Sequence, residues 1–205
     1  VAVLLRGLAM TAPENLSTDV YRYIWDGNLQ LERVSPYAYV PADPALERFR
    51  DYGNYEDINQ KETAFTIYPP VAQMAFLASA WLGNEIESVK LVMVAFEAVT
   101  IWALIGWLKG AGLPRERVLI YAWHPLPIWE LASQANVDAA LAAFVMLAVL
   151  AATRGRQGLA GIALGREGLP GRHHKHVPTA HLPQVVSHLH GALAVKYLEH
   201  GRTHL

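Results

Sequence analysis

Hydrophobic and polar residues are segregated along the 205-residue chain. Residues 11–66 are polar and charged, whereas residues 67–152 are strongly apolar. A membrane-spanning helix needs about 20 apolar residues in succession, and the apolar region has room for more than one such segment. The pattern therefore predicts an all-α fold, a polytopic membrane helix bundle with one large external loop.

The apolar region, residues 67–164, is predicted to form the membrane helices. Residues 89–108 have the length of a span and contain Glu97, which we interpret as a packing or pairing residue. Residues 71–82 are too short for a comfortable span, so we interpret them as re-entrant or interfacial.

Two further apolar stretches, residues 118–132 and 137–152, are predicted to form a hairpin. Residues 133–136 are its polar tip, within or just above the bilayer. Pro125 and Pro127 are expected to kink the first arm, which a membrane bundle tolerates.

The apolar start of the chain, residues 1–10, is too short to span a membrane and is interrupted by Arg6. We interpret it as the end of a truncated first span. A processed signal peptide is the alternative.

The polar segment, residues 11–66, is predicted to be an external, periplasmic loop. It carries ten acidic and five basic residues, and low positive charge suits the non-cytoplasmic side. Ser17, Thr18 and Asp19 are suited to cap a short helix over residues 20–31. Asp43-Pro44 is suited to start a second. Both helices are expected to lie at the membrane surface.

Positive residues predict the orientation of the bundle, since they favour the cytoplasmic side. The tip at residues 133–136 is then expected on the external side, together with residues 11–66. The residues expected on the cytoplasmic side are Lys109, Arg115, Arg117, Arg154 and Arg156.

The tail, residues 165–205, differs from the rest because it contains eight of the nine histidines. We interpret it as translated out of frame or as the end of a degenerate gene. Metal binding by His173, His174 and His176 is the alternative, but their spacing fits no standard zinc pattern, so no metal site is predicted.

Composition narrows the function classes. The net charge is −1, so no basic field indicates a nucleic-acid partner. Cysteine is absent, which excludes a thiolate nucleophile and a disulfide framework within the chain. The sequence also indicates no cofactor.

Asp19 is the leading candidate for chemistry, at the start of the first predicted loop helix. It is either a cap or first-turn acid, or a carboxylate that deprotonates an acceptor hydroxyl at the membrane surface. Arg22 could pair with Asp19 or hold a phosphate through bidentate hydrogen bonds. Asp26 is either part of this site or a turn former ahead of Gly27.

Other polar residues lie within or beside apolar stretches, where ionisable groups are costly and usually face a cavity or a partner. Tyr68 could also anchor at the interface. Together with residues near Asp19, they form the predicted substrate-binding set: Arg22, Tyr23, Trp25, Asp26, Tyr68, Gln73, His124, Glu130, Asn136 and Asp138.

Three runs, TDVYRYIWDG at 18–27, SPY at 35–37 and IYPP at 67–70, resemble the first periplasmic loop of bacterial integral-membrane glycosyltransferases with the GT-C fold. Those most similar are the polyprenol-phosphate-mannose-dependent mannosyltransferases and glycosyltransferase family 87. YAWHPL at 121–126 and NVDA at 136–139 resemble later motifs of the same group. The resemblance covers residues 1–164.

The resemblance implies a multi-pass protein of the bacterial inner membrane that transfers mannose or another hexose. The donor is a polyprenyl-phosphate-linked sugar, and the acceptor is a hydroxyl of a glycan or lipid on the external face. Asp19 matches the catalytic base, and the sugar is expected to invert. Two departures are His124, where relatives have Asn, and the missing Lys-Tyr-Pro type motif after Leu164.

Two alternatives stay open on the sequence. One is a transporter-like membrane protein, whose polar path is lined by Glu97, His124, Glu130 and Asp138. The other is an inactive remnant of a truncated transferase gene. A transferase needs Asp19 exposed at the surface, whereas a transporter needs its acids at mid-bilayer.

Overall fold

A computed structural model describes residues 1–13, 17–50, 55–83 and 85–164. All regular secondary structure in these ranges is helical, which confirms the predicted all-α fold. The predictions for the tail, residues 165–205, lie outside the described residues.

The polar segment contains the two predicted short helices. Helix α1 (Ala2–Met10) precedes the segment, and α2 (Asp19–Leu31) is its longest element. A short 3₁₀-helix, Pro44–Phe49, begins where its capping signal predicted, since the Asp43 carboxylate accepts a 2.8 Å hydrogen bond from the Ala45 amide.

Helix α2 is largely enclosed by other parts of the protein. Nine of its thirteen residues are buried, because α3 covers one side and a loop cluster covers another. The loop cluster joins α2 to the 3₁₀-helix and consists of Trp25, Leu29, Leu46, Phe49 and Ile58.

Helices α3 (Pro70–Gly83) and α4 (Ile86–Gly110) pack against each other across a short link. Helix α4 is the one described helix that is long and apolar enough to cross a membrane, and it contains the predicted span at residues 89–108. Helix α3 has 14 residues, so it is as short as the apolar pattern predicted.

The arm predicted at residues 118–132 is broken rather than kinked. It consists of a 3₁₀-turn (Arg115–Val118), α5 (Leu119–Ala122), α6 (Pro125–Pro127) and a π-helical segment (Ile128–Ser133). The break falls at His124, whose φ of −67° and ψ of 130° are extended. A residue before proline is pushed out of the helical region in this way. Helices α7 (Asp138–Thr153) and α8 (Gln157–Ala163) follow.

The tip of the predicted hairpin is not a polar surface. Ser133 and Ala135 have no exposed area, and Gln134 is 6% exposed. Ala135 belongs to the same core cluster as Tyr23 and Phe76, so the tip packs against α2 and α3.

Helices α4 and α7 run in the same direction. The rings of Phe96 and Phe144 lie 6.1 Å apart, and about ten residues further along both helices Gly106 meets Arg154. Their carboxyl ends therefore lie side by side. Lys109 and Arg154 therefore lie at the same end of the bundle, and their predicted placement on the cytoplasmic side stays a prediction.

Helix α1 runs antiparallel to α4. Arg6 is paired with Glu97, and the Lys90 ammonium donates to the carbonyls of Met10 at 3.2 Å and Ala12 at 2.7 Å. The end of α1 therefore lies beside the start of α4. The start of α7 lies at this same end, because α7 is parallel to α4.

Gly27 sets the distance between α2 and α3. A Cβ atom at this position would lie 2.9 Å from the backbone carbonyl carbon of Phe76 and closer still to its oxygen. We expect Gly27→Ala to lower stability by about 1–3 kcal/mol, because overpacked interfaces must shift backbone. Thermal unfolding in detergent measures the effect.

Gly7→Ala in α1 is the matched control, since nothing lies within 4 Å of its added methyl. Alanine is favoured over glycine in a helix by roughly 0.8–1.0 kcal/mol, so the control is expected to be neutral or stabilising. Equal behaviour of the two variants would show that close approach at Gly27 is unimportant.

Candidate functional site

Asp19 is the first residue of α2 and is half-buried. Its carboxylate does not cap the helix, because the Ser17 hydroxyl accepts the 3.1 Å hydrogen bond from the Asp19 amide. The Asn59 side-chain amide donates to Oδ1 of Asp19 at 3.4 Å, a long bond at an exposed position. The carboxylate is thus held at the surface and stays accessible.

Two phenols stand beside Asp19. The rings of Tyr23 and Tyr68 meet edge to face with centroids 5.0 Å apart, and Tyr23 stacks on Phe76 at 4.5 Å. Burial raises the pKa of Tyr23, and Tyr68 and the negative charges of Asp19 and Asp138 raise it further. Burial also raises the pKa of Tyr68, with Asp19 contributing. Both phenols stay protonated at neutral pH, but only partly exposed Tyr68 can donate a hydrogen bond outward, since Tyr23 is 3% exposed.

Asp138 reaches this group through the turn before α7. The Asn136 side-chain oxygen accepts a 3.0 Å hydrogen bond from the Asp138 amide, and the Asn136 amide donates to the Glu130 carbonyl at 3.1 Å. These bonds fix the turn, and Ala139 packs in the same core cluster as Tyr23. The structure therefore gathers Asp19, Tyr23, Tyr68 and Asp138, which we call the acid–phenol cluster.

A buried polar network lies beneath the acid–phenol cluster. Asp26 is fully buried and accepts hydrogen bonds from Arg22 at 2.9 Å, Thr66 at 2.5 Å and Gln73 at 2.7 Å. Burial raises the pKa of Asp26, while the Arg22 charge lowers it. The network ties α2 to α3 and to Thr66, two residues before Tyr68. It therefore helps to position Tyr68.

Two predictions about α2 are corrected by this network. Arg22 pairs with Asp26, not with Asp19, because Arg22 and Asp26 are both buried whereas Asp19 is half-buried. Asp26 is not a turn former ahead of Gly27, because α2 continues to Leu31.

Three residues of the candidate site were not predicted from the sequence. Thr66 and Gln30 belong to the network, Gln30 through a 2.9 Å hydrogen bond to Gln73, and Asn59 contacts Asp19. Only Thr66 had a local signal, since it directly precedes the IYPP run.

Trp25, His124 and Glu130 lie outside the acid–phenol cluster. Trp25 is 2% exposed and packs in the loop cluster. His124 is exposed, and its Nδ1 accepts a 3.2 Å hydrogen bond from the Leu126 amide. Within the described ranges, neither His124 nor Glu130 forms a side-chain hydrogen bond or ion pair with the cluster. Their predicted contacts with substrate stay predictions.

Glu97 is fully buried and forms a two-point ion pair with Arg6, with Nε of Arg6 2.7 Å from Oε2. Arg6 also donates to the Ala122 carbonyl at 2.9 Å. The predicted pairing role of Glu97 is confirmed. The transporter-like alternative stays open, because this ion pair alone does not decide whether Glu97 lines a polar path.

The described ranges do not support a metal centre. They contain no group of three or more His, Asp or Glu side chains placed to hold a metal ion. His173, His174 and His176 lie outside these ranges.

The described residues form a helical protein with one helix long and apolar enough to cross a membrane, which is consistent with a partial helical membrane protein. Comparison with family models matches residues 65–166 to glycosyltransferase family 87, which confirms the resemblance. The chain belongs to this family and is therefore a glycosyltransferase. No curated protein and no solved structure matches the chain. The family match contains Tyr68 and Asp138 and begins after Asp19.

Proposed function

We propose that this glycosyltransferase moves a hexose, such as mannose, from a polyprenyl-phosphate donor to a hydroxyl of a glycan or lipid acceptor. The reaction takes place at the external face of the bacterial inner membrane, in which the protein is multi-pass. The observation that carries the proposal is the acid–phenol cluster, which joins the accessible Asp19 carboxylate to the phenol of Tyr68 at one end of the apolar helices.

Asp19 acts as the general base in this proposal. Its carboxylate accepts the proton of the acceptor hydroxyl, and the acceptor oxygen attacks the anomeric carbon of the sugar. The bond from this carbon to the phosphate oxygen breaks, and polyprenyl phosphate leaves. A single displacement of this kind inverts the anomeric configuration. The half-buried position of Asp19 supports the role, because the carboxylate is both held and reachable.

Tyr68 orients the substrates in this proposal, and Tyr23, which is 3% exposed, supports the Tyr68 ring from the interior. A protonated phenol can donate a hydrogen bond to a sugar hydroxyl or a phosphate oxygen without adding negative charge. Asp138, the first residue of α7, can accept a hydrogen bond from a sugar hydroxyl in this proposal.

An apolar surface beside the cluster supports a lipid-linked donor. Ile67, the neighbour of Tyr68 in sequence, is 86% exposed, and Phe65 is 56% exposed. Met74, one turn into α3, is 69% exposed. A polyprenyl chain can lie against these side chains while its phosphate approaches Tyr68, because burying apolar surface is favourable at about 25 cal/mol per Å².

The test offers the reconstituted protein two donor classes. Vesicles containing the full chain receive either a polyprenyl-phosphate-linked radiolabelled mannose or the corresponding nucleotide sugar, with a membrane extract as acceptor source. We expect label to move to acceptor only from the lipid-linked donor, with inverted configuration in the product. Transfer from the nucleotide sugar, or retention of configuration, contradicts the proposal. Empty vesicles with the same extract are the control.

A further inference from the structure

A groove lies between α4 and α7 at the end of the bundle opposite the acid–phenol cluster. Its volume is about 180 Å³. One wall is apolar and the other carries a cation. The lining residues are Gly106, Trp107, Gly110, Ala111, Leu150 and Arg154, with Thr153 at the same end.

Gly106 keeps the groove open beneath Arg154. A Cβ atom at Gly106 would lie 3.3 Å from Nη2 of Arg154 and 3.3 Å from a methyl of Leu150. The guanidinium of Arg154 therefore lies across the α4 backbone, beside the apolar wall. Within the described ranges it makes no hydrogen bond or ion pair.

Arg154 is not needed to cap the two helices that end here. Gly112 and Gly155 adopt the left-handed conformation, with φ of 69° and 73°. The chain then turns back, and the amide of Leu113 donates to the Leu108 carbonyl at 2.9 Å while that of Arg156 donates to the Ala151 carbonyl at 2.8 Å. These helix-end carbonyls accept hydrogen bonds from backbone amides and do not require the Arg154 side chain as a donor. The guanidinium of Arg154 is therefore available to bind an external anion.

We propose that this groove binds the phosphate headgroup of an anionic phospholipid from the surrounding bilayer, with Arg154 as its ligand. A guanidinium matches phosphate oxygens in a bidentate geometry, and Trp107 and Leu150 offer an apolar wall to the acyl chain. The groove lies at the end of the span-length helix, where headgroups are found. Exposed Lys109 and Arg156 add positive charge nearby.

This inference rests on the membrane placement in the proposed function, but not on the transfer reaction. The test therefore uses no sugar donor. The full chain is purified in detergent, titrated with phosphatidylglycerol or phosphatidylcholine, and analysed by native mass spectrometry. We expect phosphatidylglycerol to be retained at least tenfold more strongly than phosphatidylcholine.

Arg154→Gln and Arg156→Gln form a matched pair, since both remove one exposed positive charge from the same end. We expect Arg154→Gln to weaken phosphatidylglycerol binding about tenfold and Arg156→Gln to change it less than twofold. Arg154→Lys, which keeps the charge without the bidentate geometry, is expected to fall between them. Far-UV circular dichroism checks that all three variants fold like the parent.

Three results would overturn the proposal. Equal retention of the two lipids would mean that the groove does not select an anionic headgroup. Equal loss from Arg154→Gln and Arg156→Gln would indicate a diffuse field instead of a site. Displacement of the lipid by millimolar inorganic phosphate would mean that the site takes free phosphate. Lipid binding without sugar transfer would instead leave this proposal intact and count against the transferase mechanism.

Discussion

Asp19→Asn is expected to lower sugar transfer per inserted molecule by about 10²–10⁴-fold, the usual contribution of a positioned general base. The amide has the shape of the carboxylate, and its oxygen can still accept the hydrogen bond from Asn59. It cannot take a proton from an acceptor hydroxyl at neutral pH. Protein level should hardly change, because the Asp19 carboxylate makes no cap hydrogen bond to α2. Transfer is measured with the lipid-linked donor and normalised to inserted protein.

Asp57→Asn is the matched control for this experiment. Asp57 is an exposed acid of the same polar segment, and the same chemical change is made there. Transfer by the control should equal that of the parent. If transfer by Asp19→Asn stays within about threefold of the parent, Asp19 is not the base.

Breaking the Arg6–Glu97 pair is expected to have the largest effect on stability. Glu97→Leu leaves a buried guanidinium without its carboxylate, and Arg6→Met leaves a buried carboxylate without its guanidinium. Removal of one partner from a buried ion pair typically costs about 3–5 kcal/mol. The double variant should recover most of this loss, since apolar replacement of both partners is often neutral or stabilising. Unfolding in detergent is followed for all three variants.

Lys61 and Glu56 provide a control pair, because they form a salt bridge in which the Glu56 side chain is 84% exposed. Lys61→Met and Glu56→Leu should each change stability little, and the double variant should show almost no coupling, because surface ion pairs contribute little. Additive losses at Arg6 and Glu97 would mean that the pair does not act as a unit.

Elements with local signals were predicted well from the sequence. Helix α4 followed from its apolar length, and α2 from the capping residues before it. The 3₁₀-helix at Pro44 followed from the Asp43 cap and the proline geometry. Each of these signals acts within a few residues of the element that it specifies, so no tertiary contact was needed.

Features that depend on contacts between distant segments were not predicted. Helix α2 is buried because α3 and residues 44–58 both cover it, and neither neighbour can be identified from its own sequence. Arg6 was interpreted as an interruption of an apolar run, although it is the partner of Glu97, 91 positions away. The pattern of apolar and polar residues along the chain carries no information about such long-range pairs.

In the candidate site, too, residues marked by a local motif were predicted and residues that act through distant contacts were not. Asp19, Tyr68 and Asp138 were selected through short motifs, and the structure brings their segments together around Tyr23. Gln30 and Asn59 were missed, because their partners lie 43 and 40 positions away. Asp26 was selected, but its role in a buried network required the position of α3.

The parallel arrangement of α4 and α7 has a consequence for biosynthesis. Two parallel helices cannot be joined by a tight turn. Residues 111–137 must therefore run back along α4 before α7 can pack against it. The contact between Phe96 and Phe144 therefore closes a long loop, which makes it a late event. Chains also fold progressively from the amino terminus during synthesis. Asp19, Tyr23 and Tyr68 can thus be in place before α7 delivers Asp138, so that the acid–phenol cluster is completed last.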